Sequence, residues 1–421
     1  MAKPKLALIP AAQGSRFYSV LPSDGVGDFN FSRASAATRI NKYGLIETVA
    51  SGQSRLNYPL IDGVVKGCPH HLLEPQRTNL ITYSQDFDNA SWIKSASSVT
   101  ANDIVSPDGS SNADKIVETS ITSGHFLTQT ITTTAADYTF SVFAKAGGRN
   151  WFLFRQHTLG LNASFNLSTG TIGTVQSGLT AHIEDYGNGW YKCSVKFTQA
   201  VTSNEYRLYV TTADNSTSSY LGDNVSGIYM YAAQLEQGSY ATSYIPTSGS
   251  TVTRVAETAN GAGDASTFND SEGVLMAEIS TFDDSIKQLS ISNGTSASAV
   301  KFLYLSGNVF SFQVRDNFAT QCSINKTLTN VNETIKAAGK YKANSFSLWV
   351  NGFKVDVDTN GTVPTGLSEL AYDDGSGGSN FYSSTKQIQY FDSALTDSEL
   401  ETLTSWVSFQ DMAEGQLYSV E

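Results

Sequence analysis

Tyr191-Lys192-Cys193-Ser194-Val195-Lys196-Phe197 alternates apolar and polar side chains at every step. A period of two puts Tyr191, Cys193, Val195 and Phe197 on one face of an extended chain and the lysines and serine on the other. The same period runs through Thr139–Ala144, Trp151–Arg155, Tyr206–Val210 and Ile228–Glu236. These segments are separated by turn-forming stretches such as Asp185-Tyr186-Gly187-Asn188-Gly189 and Ser168-Thr169-Gly170. Short alternating strands joined by polar turns predict an antiparallel sandwich or jelly roll.

Beyond residue 268 the pattern resumes in Gly273–Ile279, Phe302–Leu305, Val309–Val314 and Ser345–Val350. Asn351-Gly352 reads as a type I′ hairpin turn. Thr396-Asp397-Ser398-Glu399 is a capping box, and Leu400, Leu403 and Trp406 follow at helical spacing, which predicts one short helix. Residues 1–84 are different: glycine and proline punctuate short apolar pieces too brief for a core. The fold class expected is all-β, with two antiparallel β-sandwich domains (jelly-roll or lectin-like) after an extended N-terminal region, and one short C-terminal helix. The expected divisions are 1–84, 85–256 and 268–421, with a flexible linker at Asn260–Thr267.

Of the 421 residues, 40% are hydrophobic and only 16% charged, so hydroxyl and amide side chains must cover the surface. A net charge of -12 repels phosphate backbones and argues against nucleic-acid partners. No apolar run approaches a membrane span, and Leu6–Ile9 is too short for a signal-peptide core. The chain is expected to be made in a cytoplasm without secretory export. Cys68, Cys193 and Cys322 lie far apart, which disfavours a disulfide framework or a zinc site and suggests three small buried or half-buried side chains.

Catalytic patterns are missing: the five histidines form no HExxH, and there is neither a GxSxG nor a P-loop. His70-His71 reads as a surface or loop pair. Glycoside hydrolysis needs two carboxylates facing a bond. Glu184-Asp185, Asp283-Asp284 and Asp373-Asp374 sit beside turn residues and read as solvated loops. Asp108, Asp114, Asp373 and Asp374 could hold a structural Ca²⁺ in Gly/Ser-rich loops, with ordinary Asx turns as the simpler account. No catalytic residue, cofactor or other metal is expected.

Aromatic residues carry the binding signal, at 11% of the chain. Sugars stack their C–H faces on such rings while amides and guanidinium groups read the hydroxyls. Trp151, Trp190, Tyr206, Tyr229 and Tyr231 are the candidate glycan-binding residues, weighed against core or strand-pairing roles. Arg33, Arg39, Arg55 and Arg77 lie in the poorly cored first region. Their forked donors suit docking onto partner subunits or onto the second domain.

The first region contains Phe31-Ser32-Arg33-Ala34-Ser35-Ala36-Ala37-Thr38-Arg39, then Leu72-Leu73-Glu74-Pro75-Gln76-Arg77-Thr78-Asn79-Leu80, Tyr83-Ser84, Phe87 and Trp92. This string resembles structural proteins of tailed bacteriophages and prophages, on tail or head fibres. The second region, closing on Ala233–Gly238, Thr242–Thr247 and Val252-Thr253-Arg254, resembles carbohydrate-binding-module jelly rolls. The third, with Lys340-Tyr341, Leu348–Gly352 and Ala394–Leu400, resembles concanavalin A-like or laminin G-like sandwiches. The resemblance implies a virion-surface protein that the four arginines dock to other virion proteins. It implies a homotrimer by analogy with phage fibres and host-surface glycan as a partner, and the missing catalytic patterns predict no enzymatic activity. Two alternatives stand beside the adhesin: a capsid decoration or tail component binding only virion proteins, and a glycan depolymerase.

Overall fold

The computed structural model describes residues 2–200 and 203–415, and the regular structure of the described chain is almost entirely antiparallel strand. The alternating segments of the middle region form two six-stranded sheets. One runs Ile93–Ser95, His125–Thr132, Ser203–Thr211, Trp151–Gln156, Leu161–Asn166, Thr171–Val175. The other runs Ser97–Val105, Ser111–Glu118, Gly227–Gln237, Ala136–Gly147, Tyr191–Gln199, Leu179–Asp185. Their inner faces meet as the period dictates: Cys193, Val195 and Phe197 pack with Phe140, Val142, Phe152, Phe154 and Leu208. The Phe140 and Phe154 rings stack at 4.7 Å across the two sheets.

The second sandwich faces a five-stranded sheet against an eleven-stranded one. The five run Ala319–Thr327, Val309–Asp316, Ala299–Leu305, Lys287–Ser292, Glu369–Ala371. The N-terminal region is extended chain, and it docks where such chain gains most, on the open edge of the larger sheet. Leu6–Gln13 pairs with Ser383–Phe391, and Arg16–Leu21, Phe29–Ser32 and Thr258–Asn260 continue outward. Leu6, Leu8, Phe17, Phe29 and Phe31 thereby join Leu275, Phe302, Phe312 and Tyr341 in one core. Pieces too brief to form a core alone complete another one.

The middle sandwich is therefore inserted into the one built by both ends of the chain. Its entry and exit strands, Arg77–Asn79 and Val252–Arg254, run side by side as a two-stranded ribbon. The stretch 260–267 is not a flexible linker: Ala262 is fully buried and exchanges backbone hydrogen bonds with Leu370. Asn351 and Gly352 both take positive φ, as a type I′ turn requires. The capping box forms at Thr396 and opens the helix Asp397–Thr404, which buries Leu400 and Leu403. The helix stops before Trp406, and a second one follows at Phe409–Gly415.

Candidate functional site

Two arginines of the first region, Arg33 and Arg55, are turned inward. Arg33 and Arg55 have no side-chain exposure and converge with Arg254 on Glu74 and Glu257 beneath the junction of the two sandwiches. Arg33 Nη1 donates to Glu257 at 2.6 Å, Arg55 Nε donates to it at 2.8 Å, and Arg254 Nη1 lies 2.8 Å from Glu74. The reading as docking groups on other virion proteins is corrected for these two. Buried guanidinium groups need carboxylates, and the chain supplies its own. Arg39 pairs with Glu47 at 3.1 Å on a half-exposed hairpin, and Arg77 lies 3.7 Å from Glu236 with its guanidinium over Tyr240.

Most of the proposed aromatic platforms are core. Trp190 is 3% exposed, and its Nε1 donates to the Val105 carbonyl at 3.1 Å. Tyr206, 1% exposed, packs among Phe154 and Phe197. Tyr231 is 2% exposed and donates to Asp108 beneath the covering N-terminal segment. These three are not available to a sugar, because burying a large ring stabilises the fold more than exposing it. Tyr229 is half-buried, with Lys115 5.3 Å over its ring. His70 and His71 also sit in a strand and are buried rather than on the surface, and Cys68 is exposed.

Trp151 is half-exposed, and it lies at one end of a different kind of surface. On the outer face of the first six-stranded sheet, register aligns Thr128, Arg207, Arg155 and Asn162 across four strands. The neighbouring row is Phe126, Tyr209, Leu153 and Ser164, of which Phe126 alone is half-buried and the other three are buried. The Arg207 guanidinium lies 4.6 Å over the Phe126 ring, and its Nε donates to Glu205 at 2.7 Å. Arg155 instead donates to two uncharged acceptors, His157 Nδ1 at 3.1 Å and Asn162 Oδ1 at 2.7 Å. Desolvation and the charge of Arg207 hold the His157 imidazole below its ordinary range, so it is neutral at pH 7. The face thus offers two half-buried guanidinium groups beside one carboxylate, with the half-buried Phe126 ring under one of them. At the Trp151 end, Gly173 lets the ring lie against the edge strand, since a Cβ there would sit 2.6 Å from it.

Sequence reasoning found Trp151 and missed Arg155, Arg207, Phe126, Glu205, His157 and Asn162. The signal was available in Tyr206-Arg207-Leu208-Tyr209-Val210. With Leu208 inward, Arg207 and Tyr209 must point outward together.

A cavity of about 520 Å³ lies between the sandwiches, roofed by the 59–65 hairpin. Its polar wall holds the pair His182 Nε2–Glu184 Oε1 at 3.3 Å, while Asp185 accepts the Gly187 amide. The calcium candidates are engaged by the chain itself, three of them in their own turns. Asp108 accepts from Ser110 and Asn112, Asp373 from Gly375, and Asp374 from Ser376, while Asp114 takes the amides of Phe87 and Asn102. Among the described residues, no group of three or more His, Cys, Asp or Glu side chains is placed to hold a metal.

No family model and no curated protein matches the chain. Among solved structures, a sialidase carbohydrate-binding module from Ruminococcus gnavus is 18% identical, with TM-score 0.30, over 34% of this chain and 86% of its own. Mouse laminin α1 domains LG4-5 are 9% identical, with TM-score 0.23, over 64% and 90%. A tail fibre protein of an E. coli phage is 9% identical, with TM-score 0.21, over 66% and 36%.

Proposed function

We propose that this chain is a non-catalytic glycan-binding protein displayed on a virion surface, where it attaches the particle to host saccharides. The observation that carries the reading is the outer face around Arg155. The Phe126 ring and two forked donors share one surface there, and Arg155 has only neutral acceptors within the chain. A sugar ring can stack on an aromatic while its hydroxyls or a carboxylate take the guanidinium. Weak sites suffice when many copies act together, and a homotrimer is the assembly this reading expects.

The experiment is a glycan array with parent protein and Arg155→Gln. The expected result is binding that falls at least about tenfold, equivalent to about 1.4 kcal/mol, with an unchanged melting curve. Equal binding by the folded variant overturns the reading. Release of sugar from host polysaccharide would favour the depolymerase instead.

A further inference from the structure

We propose a second saccharide site on the other sandwich, at the hairpin joining Val309–Asp316 to Ala319–Thr327, that takes an acidic sugar. The two-residue loop is Asn317-Phe318, closed by the pair Asp316↔Ala319. Both residues take positive φ, +48° and +64°. That pattern belongs to a type I′ turn, whose second position favours glycine because any side chain there is strained. A bulky residue in this conformation is an outlier. Burial does not offset the strain, since Phe318 is 68% exposed. A strained aromatic held out in solvent is maintained against the preference of the backbone, and such strain concentrates at functional sites.

A second, independent anomaly lies beside it. Arg315 Nη2 donates to the Phe318 carbonyl at 2.9 Å, while its Nε is buried without a partner. Val314 points into the core, so Arg315 and Gln313 point outward, opposite Thr320 and Ser323. Behind them Lys301, paired in register with Gln313, is 1% exposed and has the neutral Gln288 Oε1 as its acceptor at 3.1 Å. Asp374 is the carboxylate acting on that amine, and Asp316, next to Arg315 in the strand, accepts from Ser298 and Asn317. One exposed ring, an outward amide and hydroxyls, and the under-compensated Arg315 guanidinium with Lys301 buried behind it match a saccharide carrying a carboxylate or sulfate. A protein partner would need a wider apolar centre than a single ring.

The test uses the full chain on an array of neutral, carboxylated and sulfated glycans. Phe318→Gly relieves the turn, so folding is not a confounding factor: the melting temperature should rise by about 1–3 °C. Affinity for acidic glycans should fall by about fivefold to a hundredfold, the range of losing one stacked ring. Arg315→Gln should lose the preference for acidic over neutral glycans. In an Arg155→Gln background the residual acidic-glycan binding should persist, and adding Phe318→Gly should abolish it. If Phe318→Gly binds like the parent while Arg155→Gln loses everything, the second site is overturned and the first stands. If Phe318→Gly instead loses capture of a protein partner with glycan binding intact, the saccharide assignment is overturned.

Discussion

Single residues decide between binding and packing through their partners. Trp190 has its ring nitrogen satisfied by a carbonyl and its ring enclosed by Phe143 and Tyr244. Trp190→Ala is expected to destabilise the fold by about 3–5 kcal/mol, as large-to-small core changes do, measured by chemical denaturation. Trp151→Ala should leave stability nearly unchanged and weaken glycan binding by about 1–3 kcal/mol, the scale of a lost stacking ring. A large stability loss at Trp151 would make it a packing residue too. The two tryptophans look alike in sequence, each preceded by turn residues. What separates them is the N-terminal segment laid over Trp190, and no local pattern announces that.

At the scale of elements, strands whose two faces differ were legible. The inward Cys193, Val195 and Phe197 fall where the alternation places them, as do the Asn351-Gly352 turn and the Thr396 capping box. Removing the reciprocal cap with Thr396→Ala should cost about 1 kcal/mol, read as a lowered melting temperature. What was illegible is pairing between distant elements. Leu6–Gln13 finds Ser383–Phe391 at the other end of the chain, and its period of two says nothing about which strand receives it. The candidate face was hidden for the same reason: Arg155, Arg207 and Asn162 come together only through the register of three strands. Of the first-region arginines Arg33 and Arg55 are buried, whereas the strand residues Arg155 and Arg207 face outward.

Across the whole molecule, acid should loosen the joint between the sandwiches and the core that the N-terminal strands complete. Burial raises the Glu74 carboxyl, but Arg254 and Arg55 outweigh it and bring the group down to about 2 from an ordinary 4.5. A depressed carboxyl contributes stability that is present above 4.5 and lost as pH falls toward 2. The two neighbouring histidines act earlier. His70 is brought down by burial and nearby positive charge to about 3, and His71 by burial to about 4, against 6.5 when unfolded. His71 stacks on Phe17 at 4.0 Å and lies 3.2 Å from the Ile9 carbonyl, so it is held neutral inside the added strands. For a base with a depressed folded value, the unfolded chain takes up protons first, and stability is lost as pH falls below 6.5. Each such group contributes about 1.4 kcal/mol per pH unit between its two values. All three groups therefore act in one direction. The melting temperature should fall continuously from about pH 7 to about pH 4, driven by the histidines, and continue to fall below 4.5 as Glu74 joins them. His71→Gln should flatten the upper part of that slope without changing the lower. Glu257→Gln, which leaves Arg33 and Arg55 short of their shared carboxylate, should cost about 3–5 kcal/mol at neutral pH. A melting temperature that holds level across that upper range would mean that the histidines titrate normally, and hence that the strands enclosing them open in solution.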